Sequence, residues 1–173
     1  TTDARTATIE ATYGDIKHEL VVDQSNDPDL LPYLSGIYFG SNYGATENDY
    51  NYSLAIATRP YVFDIVTGES IILEGNKYLF IDLYSNVAAE NYNISFTVSA
   101  GEYTLDVEDS AVAGTIGARY TSLYDATGEG VETFFVSGKV VVTDSRITAQ
   151  LVGDDGLEYT FFSEQVFVDN SKQ

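Results

Sequence analysis

Between residues 138 and 168, apolar and polar side chains alternate almost without a break, and tight-turn signals punctuate the pattern. Val140 and Val142 lead to Asp144-Ser145. Ile147, Ala149 and Leu151 then alternate with Thr148 and Gln150 as far as Asp154-Asp155-Gly156, after which Tyr159 and Phe161 resume the period. A period of two sends successive side chains to opposite faces of a strand, and Asp-Gly supplies the positive φ values that a hairpin turn requires. The segment therefore predicts a β-meander.

The same logic runs along the rest of the chain. Ala7, Ile9, Ala11 and Tyr13 alternate with Thr6, Thr8, Glu10 and Thr12, and Gly14-Asp15 closes that strand. A second strand spans residues 16–22, and a longer loop containing Pro28 and Pro32 begins at Asp23. A strand over residues 50–58 places Tyr50, Tyr52, Leu54 and Ile56 on one face and stops at Arg59-Pro60, because proline cannot donate to a ladder. Further strands are predicted over residues 61–66, 70–74, 77–84, 94–98, 102–107, 119–124 and 131–137, while residues 87–90 are the one stretch that reads as a helical turn. About ten to twelve short strands at this spacing predict an all-β fold, an antiparallel β-sandwich or flattened β-barrel with meander hairpins. A single domain over residues 1–173 is expected. Its inward set includes Ile9, Leu54, Ile56, Phe80, Val140, Val142, Leu151 and Phe161.

Charge and composition narrow the function. Twenty-seven acidic residues against 8 basic ones give a net charge of −19, a field that repels phosphate backbones and anionic headgroups. Nucleic acid is thereby disfavoured as a partner, and so is electrostatic membrane binding. The absence of cysteine removes disulfides, zinc ribbons and thiol nucleophiles together. Methionine is absent too, which predicts a processed mature protein or an excised domain, any targeting or anchoring segment having lain upstream. No apolar run approaches the roughly 20 residues that span a bilayer as a helix.

From Tyr50 onward the order of segments resembles that of small secreted β-rich lipoproteins of Bacteroides-type gut bacteria. The resemblance is carried by the Tyr-rich strand over residues 50–56, Leu79-x-Ile81-Asp82-Leu83-Tyr84, Gly101-x-Tyr103-x-Leu105-Asp106, and the glycine-led hairpin of residues 138–162 with its Asp-Gly turn and aromatic strand. It implies export, attachment to the outer membrane through a lipidated N-terminal cysteine upstream of this chain, and work beside a glycan or peptide uptake system. It implies no catalytic residues.

Two segments carry candidate sites. Residues 38–52 combine Tyr38, Tyr43, Tyr50 and Tyr52 with Asn42, Asn48, Asn51 and Asp49. Sugar rings stack on aromatic faces while amides and carboxylates fix their hydroxyls, and rigid tyrosines also serve protein contacts. Tyr38, Asn42, Tyr43, Asp49 and Tyr50 are thus the candidate ligand set; the alternative places Tyr50 and Tyr52 in the core, with Tyr38 and Tyr43 covering a sheet edge. Asp23, Ser25, Asp27 and Asp29 offer oxygens at alternate positions, the spacing by which a loop wraps a hard cation such as calcium. Pro28 stands where an EF-hand needs glycine and Leu34 where it needs glutamate, so a solvated acidic loop without a cofactor is the simpler reading. His18, the only histidine, lies in a strand-like segment without a nucleophile motif.

The function expected is a non-enzymatic, surface-attached binding or accessory protein for a glycan, peptide or protein partner. Two alternatives stand beside it. One is a structural or adhesin subunit assembling through sheet edges, with residues 164–173 as the extended segment that strand donation needs. The other is a carboxylate-dependent glycoside hydrolase, since 27 acids make some close pair inevitable.

Overall fold

Alternation and turn chemistry produce what they predict, strands throughout. The structure is a computed structural model that describes residues 5–13, 16–24, 29–60, 62–63, 70–90 and 92–169. It is all-β, with no α-helix among the described residues. In chain order the strands are β1 (Arg5–Tyr13), β2 (Ile16–Gln24), β3 (Tyr33–Gly40), β4 (Tyr50–Ala57), β5 (Val62–Phe63), β6 (Ser70–Ile71), β7 (Lys77–Ser85), β8 (Ser95–Thr97), β9 (Gly101–Asp106), β10 (Thr115–Gly117), β11 (Ser122–Asp125), β12 (Val131–Val142), β13 (Ile147–Gly153), β14 (Glu158–Ser163) and β15 (Phe167–Asp169). The chain reads as one domain in sequence; in space it divides into two compact units, Thr1–Leu30 and Leu31–Gln173.

The first unit holds the antiparallel ladder of β1 and β2, running from Arg5 opposite Gln24 to Tyr13 opposite Ile16. Because Arg5 and Thr6 offer pairing partners, β2 continues past Val22 and takes Asp23 into the ladder opposite Thr6, where a loop was expected. Ser25 and Asp27 lie outside the described residues, and Asp29 stands half-buried in a turn. His18 pairs with Ala11, and Ile9 pairs with Leu20 in the backbone ladder, the side chain of Ile9 lying outside the described residues.

The second unit is built on a closed five-strand mixed barrel with extra strands. The ring runs β7-β10-β9-β12-β11 and back to β7; β4 and β3 extend the sheet from β7, and β13 and β14 extend it from β12. The meander of the C-terminal third is present as β12-β13-β14, with Gly156 at φ 79° in its last turn and the Asp155 carboxylate accepting from the Leu157 N–H and the Tyr159 hydroxyl.

One pair departs from the antiparallel expectation. β9 and β10 run parallel, Thr104 opposite Thr115 and Asp106 opposite Gly117. Parallel neighbours usually need a crossover of a dozen residues or more. Here residues 107–114 suffice, because β10 is only three residues long and the chain returns just far enough to meet Thr104.

Leu54, Ile56, Val140, Val142, Leu151 and Phe161 are buried together in the main core with Leu79, Ile81 and Leu83 of β7. Phe80 is not among them. It lies on the opposite face of β7, half-buried, where it stacks on Tyr78 beside Ala57, Ala126 and Tyr124. Residues 87–90 are not helical, β12 runs unbroken through the expected boundary at Gly138, and a 3-10 turn over residues 118–120 takes up the first two residues of the expected strand 119–124. β15 pairs with β8, Val168 opposite Phe96, so within residues 164–173 the described strand is already used by the fold of its own chain.

Candidate functional site

A groove of about 460 Å³ opens beside β4 and β8. Its geometry starts from an aromatic cluster. Tyr38 and Tyr52 are register partners across β3 and β4, which sets their rings on one face, and the centroids lie 5.0 Å apart in an edge-on arrangement. Phe96 of β8 stands 6.2 Å from Tyr38 and 5.8 Å from Tyr52, Tyr92 stands 5.0 Å from Tyr38, and Tyr50 stacks 6.5 Å away.

Two phenols fasten the next segment onto this cluster. The Tyr52 hydroxyl donates to the Val87 carbonyl at 2.8 Å, and the Tyr38 hydroxyl takes a hydrogen bond from the Ala89 backbone. Burial, first among the causes, pushes both hydroxyls above the ordinary tyrosine value, so both stay protonated at physiological pH. Residues 87–90 form one wall, residues 97–100 the other, Tyr52 lies at the base, and Thr143 and Asp144 of the β12-β13 turn complete the lining. Val87, Ala88, Ala89, Val98 and Ala100 make it largely apolar; Glu90, Thr97, Ser99, Thr143 and Asp144 supply hydrogen-bonding groups. A volume of about 460 Å³ lies within the range of small-molecule sites.

The structure divides the ligand set expected from residues 38–52. Tyr38 and Tyr50 join the cluster behind the groove. Tyr43 and Asn42 are exposed in the loop after β3, where Tyr43 meets Phe39 edge-on at 5.0 Å on the face opposite Tyr38. Asp49 is 6% exposed and serves the fold: its carboxylate accepts from the Thr46 hydroxyl and, at 2.9 Å, from the Ala113 N–H, and these bonds hold its carboxyl below the ordinary value. The groove residues themselves escape sequence reading. Val87, Ala88 and Ala89 carry no chemistry in a linear view, and only the two phenol bonds place them over Tyr52.

At 59% exposure, Tyr43 is a surface ring. Tyr43→Ala is expected to lower stability by no more than about 1 kcal/mol, the worth of its contact with Phe39, in a denaturant titration.

A second constellation lies on the outer face of β7. Asp82, 7% exposed, accepts from Asn51 Nδ2 at 2.7 Å and from the Tyr84 hydroxyl at 2.9 Å. Burial raises its carboxyl above the ordinary value of 3.8; the bonds from Asn51 and Tyr84 oppose that rise, and the charge of Asp109 adds to it. The Tyr84 hydroxyl is pushed up as well, by burial and by the two carboxylates. Asn51 is thereby committed to the interior. Among the described residues no group of three or more His, Cys, Asp or Glu gathers as a metal site.

The fold and the groove together define an all-β protein with a closed five-strand mixed barrel and a groove backed by a buried aromatic cluster. No family model matches the chain, and no curated protein or solved structure matches it either.

Proposed function

We propose that this protein is an exported, surface-attached, non-enzymatic binding protein that captures a glycan or peptide beside a larger uptake complex. The observation that carries this reading is the groove of about 460 Å³, apolar along its walls, with Glu90 and Asp144 among its lining residues and phenols securing one wall from behind. The resemblance of residues 50–162 to secreted lipoproteins of Bacteroides-type bacteria supports export and attachment through an upstream lipid anchor.

Ala88 is exposed in the lining, so a larger side chain there fills the groove without disturbing the core. Ala88→Trp is expected to weaken binding of ligands selected from glycan and peptide arrays by at least about tenfold, a difference of about 1.4 kcal/mol, at an unchanged melting temperature. Wild-type affinity in Ala88→Trp would remove the groove from the reading, and silence of both arrays would remove ligand capture itself.

A further inference from the structure

The parallel crossover over residues 107–114 rests on carboxylates. Asp106 accepts from the Glu108 N–H at 3.0 Å, from the Ser110 N–H at 2.7 Å and from the Ser110 hydroxyl. Asp109 Oδ1 accepts from the Arg119 N–H at 3.1 Å. Asp49 Oδ1 and the Ala111 carbonyl tie the crossover to the loop over residues 41–49, through Ala113 N–H and Ala45 N–H respectively. Gly114 donates to the Tyr84 carbonyl at 2.8 Å, which fastens the end of the crossover to β7.

Two features set the crossover on edge. Asp109 and Ala111 hold φ values of 51° and 57°, a left-handed conformation that Asp tolerates and Ala does not favour. In addition, a Cβ placed on Gly117 would stand 2.8 Å from Asp82 Oδ2 and 3.0 Å from Asp109 Oδ1. The two carboxylate oxygens thus flank a single point, one from the buried Asp82 on the outer face of β7 and the other from the crossover. Two carboxylates so placed do not both ionise without repulsion, and burial of Asp82 leaves that repulsion poorly screened.

We infer that Asp82 and Asp109 form a proton-operated latch: with Asp82 protonated the crossover lies against β7, and when Asp82 ionises the crossover, together with the loop over residues 41–49 tied to it, is released. The device would link ambient pH to the presentation of Tyr43 and Asn42.

The groups around Asp82 define its direction. Asn51 faces it from β4, Tyr84 from its own strand and Asp109 from the crossover; Tyr120 and Arg119 stand on the adjoining 3-10 turn, and the Thr121 hydroxyl accepts from the Asp82 N–H. Asp49 and Asp106 are held below the ordinary carboxylate value by their hydrogen bonds, so both stay charged throughout the window. The pKa of Asp82 in the fold lies above its unfolded value. Its contribution is therefore fully present below the unfolded pKa and is lost as pH rises through the folded one.

The test is hydrogen exchange at the amides of Ala45, Ala113 and Gly114 from about pH 4 to about pH 8, each rate expressed against the unstructured rate at the same pH. In the wild-type chain their protection is expected to fall by up to about tenfold per pH unit as Asp82 loses its proton. Asp82→Asn keeps an acceptor for Asn51 and is expected to hold protection level across the range. Asp109→Asn removes the opposing charge at an exposed position and is expected to make the fall shallower than in the wild-type chain even if Asp82→Asn fails to fold. A wild-type profile without this fall, or a fall of undiminished size in Asp109→Asn, overturns the latch.

Discussion

Replacing Gly138 by alanine is expected to cost about 3 to 6 kcal/mol, enough to unfold a domain of ordinary stability or leave it on the edge of unfolding. Gly138 sits at φ 126°, where a side chain is strained whatever space surrounds it. Space is lacking as well: an added Cβ would stand 2.6 Å from the Leu151 Cα and would collide with the Gln150 carbonyl. The position matters because β12 changes partners along its length. Its first residues pair with β11, from Val131 opposite Asp125 to Phe134 opposite Ser122, and its last four lie between β9 and β13. Gly138 follows the register shift between Phe135 and Ser137, so the strand bends where the two halves of the barrel wall meet. Urea denaturation of Gly138→Ala measures the effect; a loss below about 1 kcal/mol would mean that the bend does not depend on glycine.

Tyr52→Ala carries the second large effect, expected at about 3 to 5 kcal/mol. Its ring is 0% exposed and packs against Tyr38 and Phe96, and deletion would leave a cavity between β4 and β8. Removing the hydroxyl alone tests a separate contribution. Tyr52→Phe keeps the packing but frees the Val87 carbonyl, and about 1 kcal/mol is expected for that lost hydrogen bond. Since the phenol also fastens one wall of the groove, Tyr52→Phe should weaken ligand capture more than its small stability change implies. Thermal melts beside binding measurements on both variants separate the packing role from the positioning role.

The aromatic segment shows how far a linear reading reaches. Alternation correctly sets Tyr50, Tyr52, Leu54 and Ile56 on one face of β4, because that face is fixed by strand period alone. Nothing in the same residues tells a core ring from an exposed one. Tyr52 is buried because β8 brings Phe96 against it, whereas Tyr43 is exposed because Phe39, its neighbour, faces away from Tyr38. β3 escaped the pattern for a related reason. Its residues Tyr33–Gly40 include two glycines and no clean alternation, and it becomes a strand by lying against β4, where Gly36 allows a close approach to the Ser53 carbonyl and the Leu54 side chain.

What the chain determines by itself is local. Period-two alternation and Asp-Gly turn chemistry mark the all-β class, the meander of β12, β13 and β14, and the burial of Leu54, Ile56, Val140, Val142, Leu151 and Phe161, since strand geometry and positive φ preferences act within a few residues. Tertiary structure decides the rest. Closure of the barrel, the parallel pairing of β9 with β10, the groove made by residues 87–90 over Tyr52, and the meeting of Asp82 with Asp109 beside Gly117 all join residues distant in sequence. Their free energy comes from contacts that exist only after the chain has folded, so no local pattern records them.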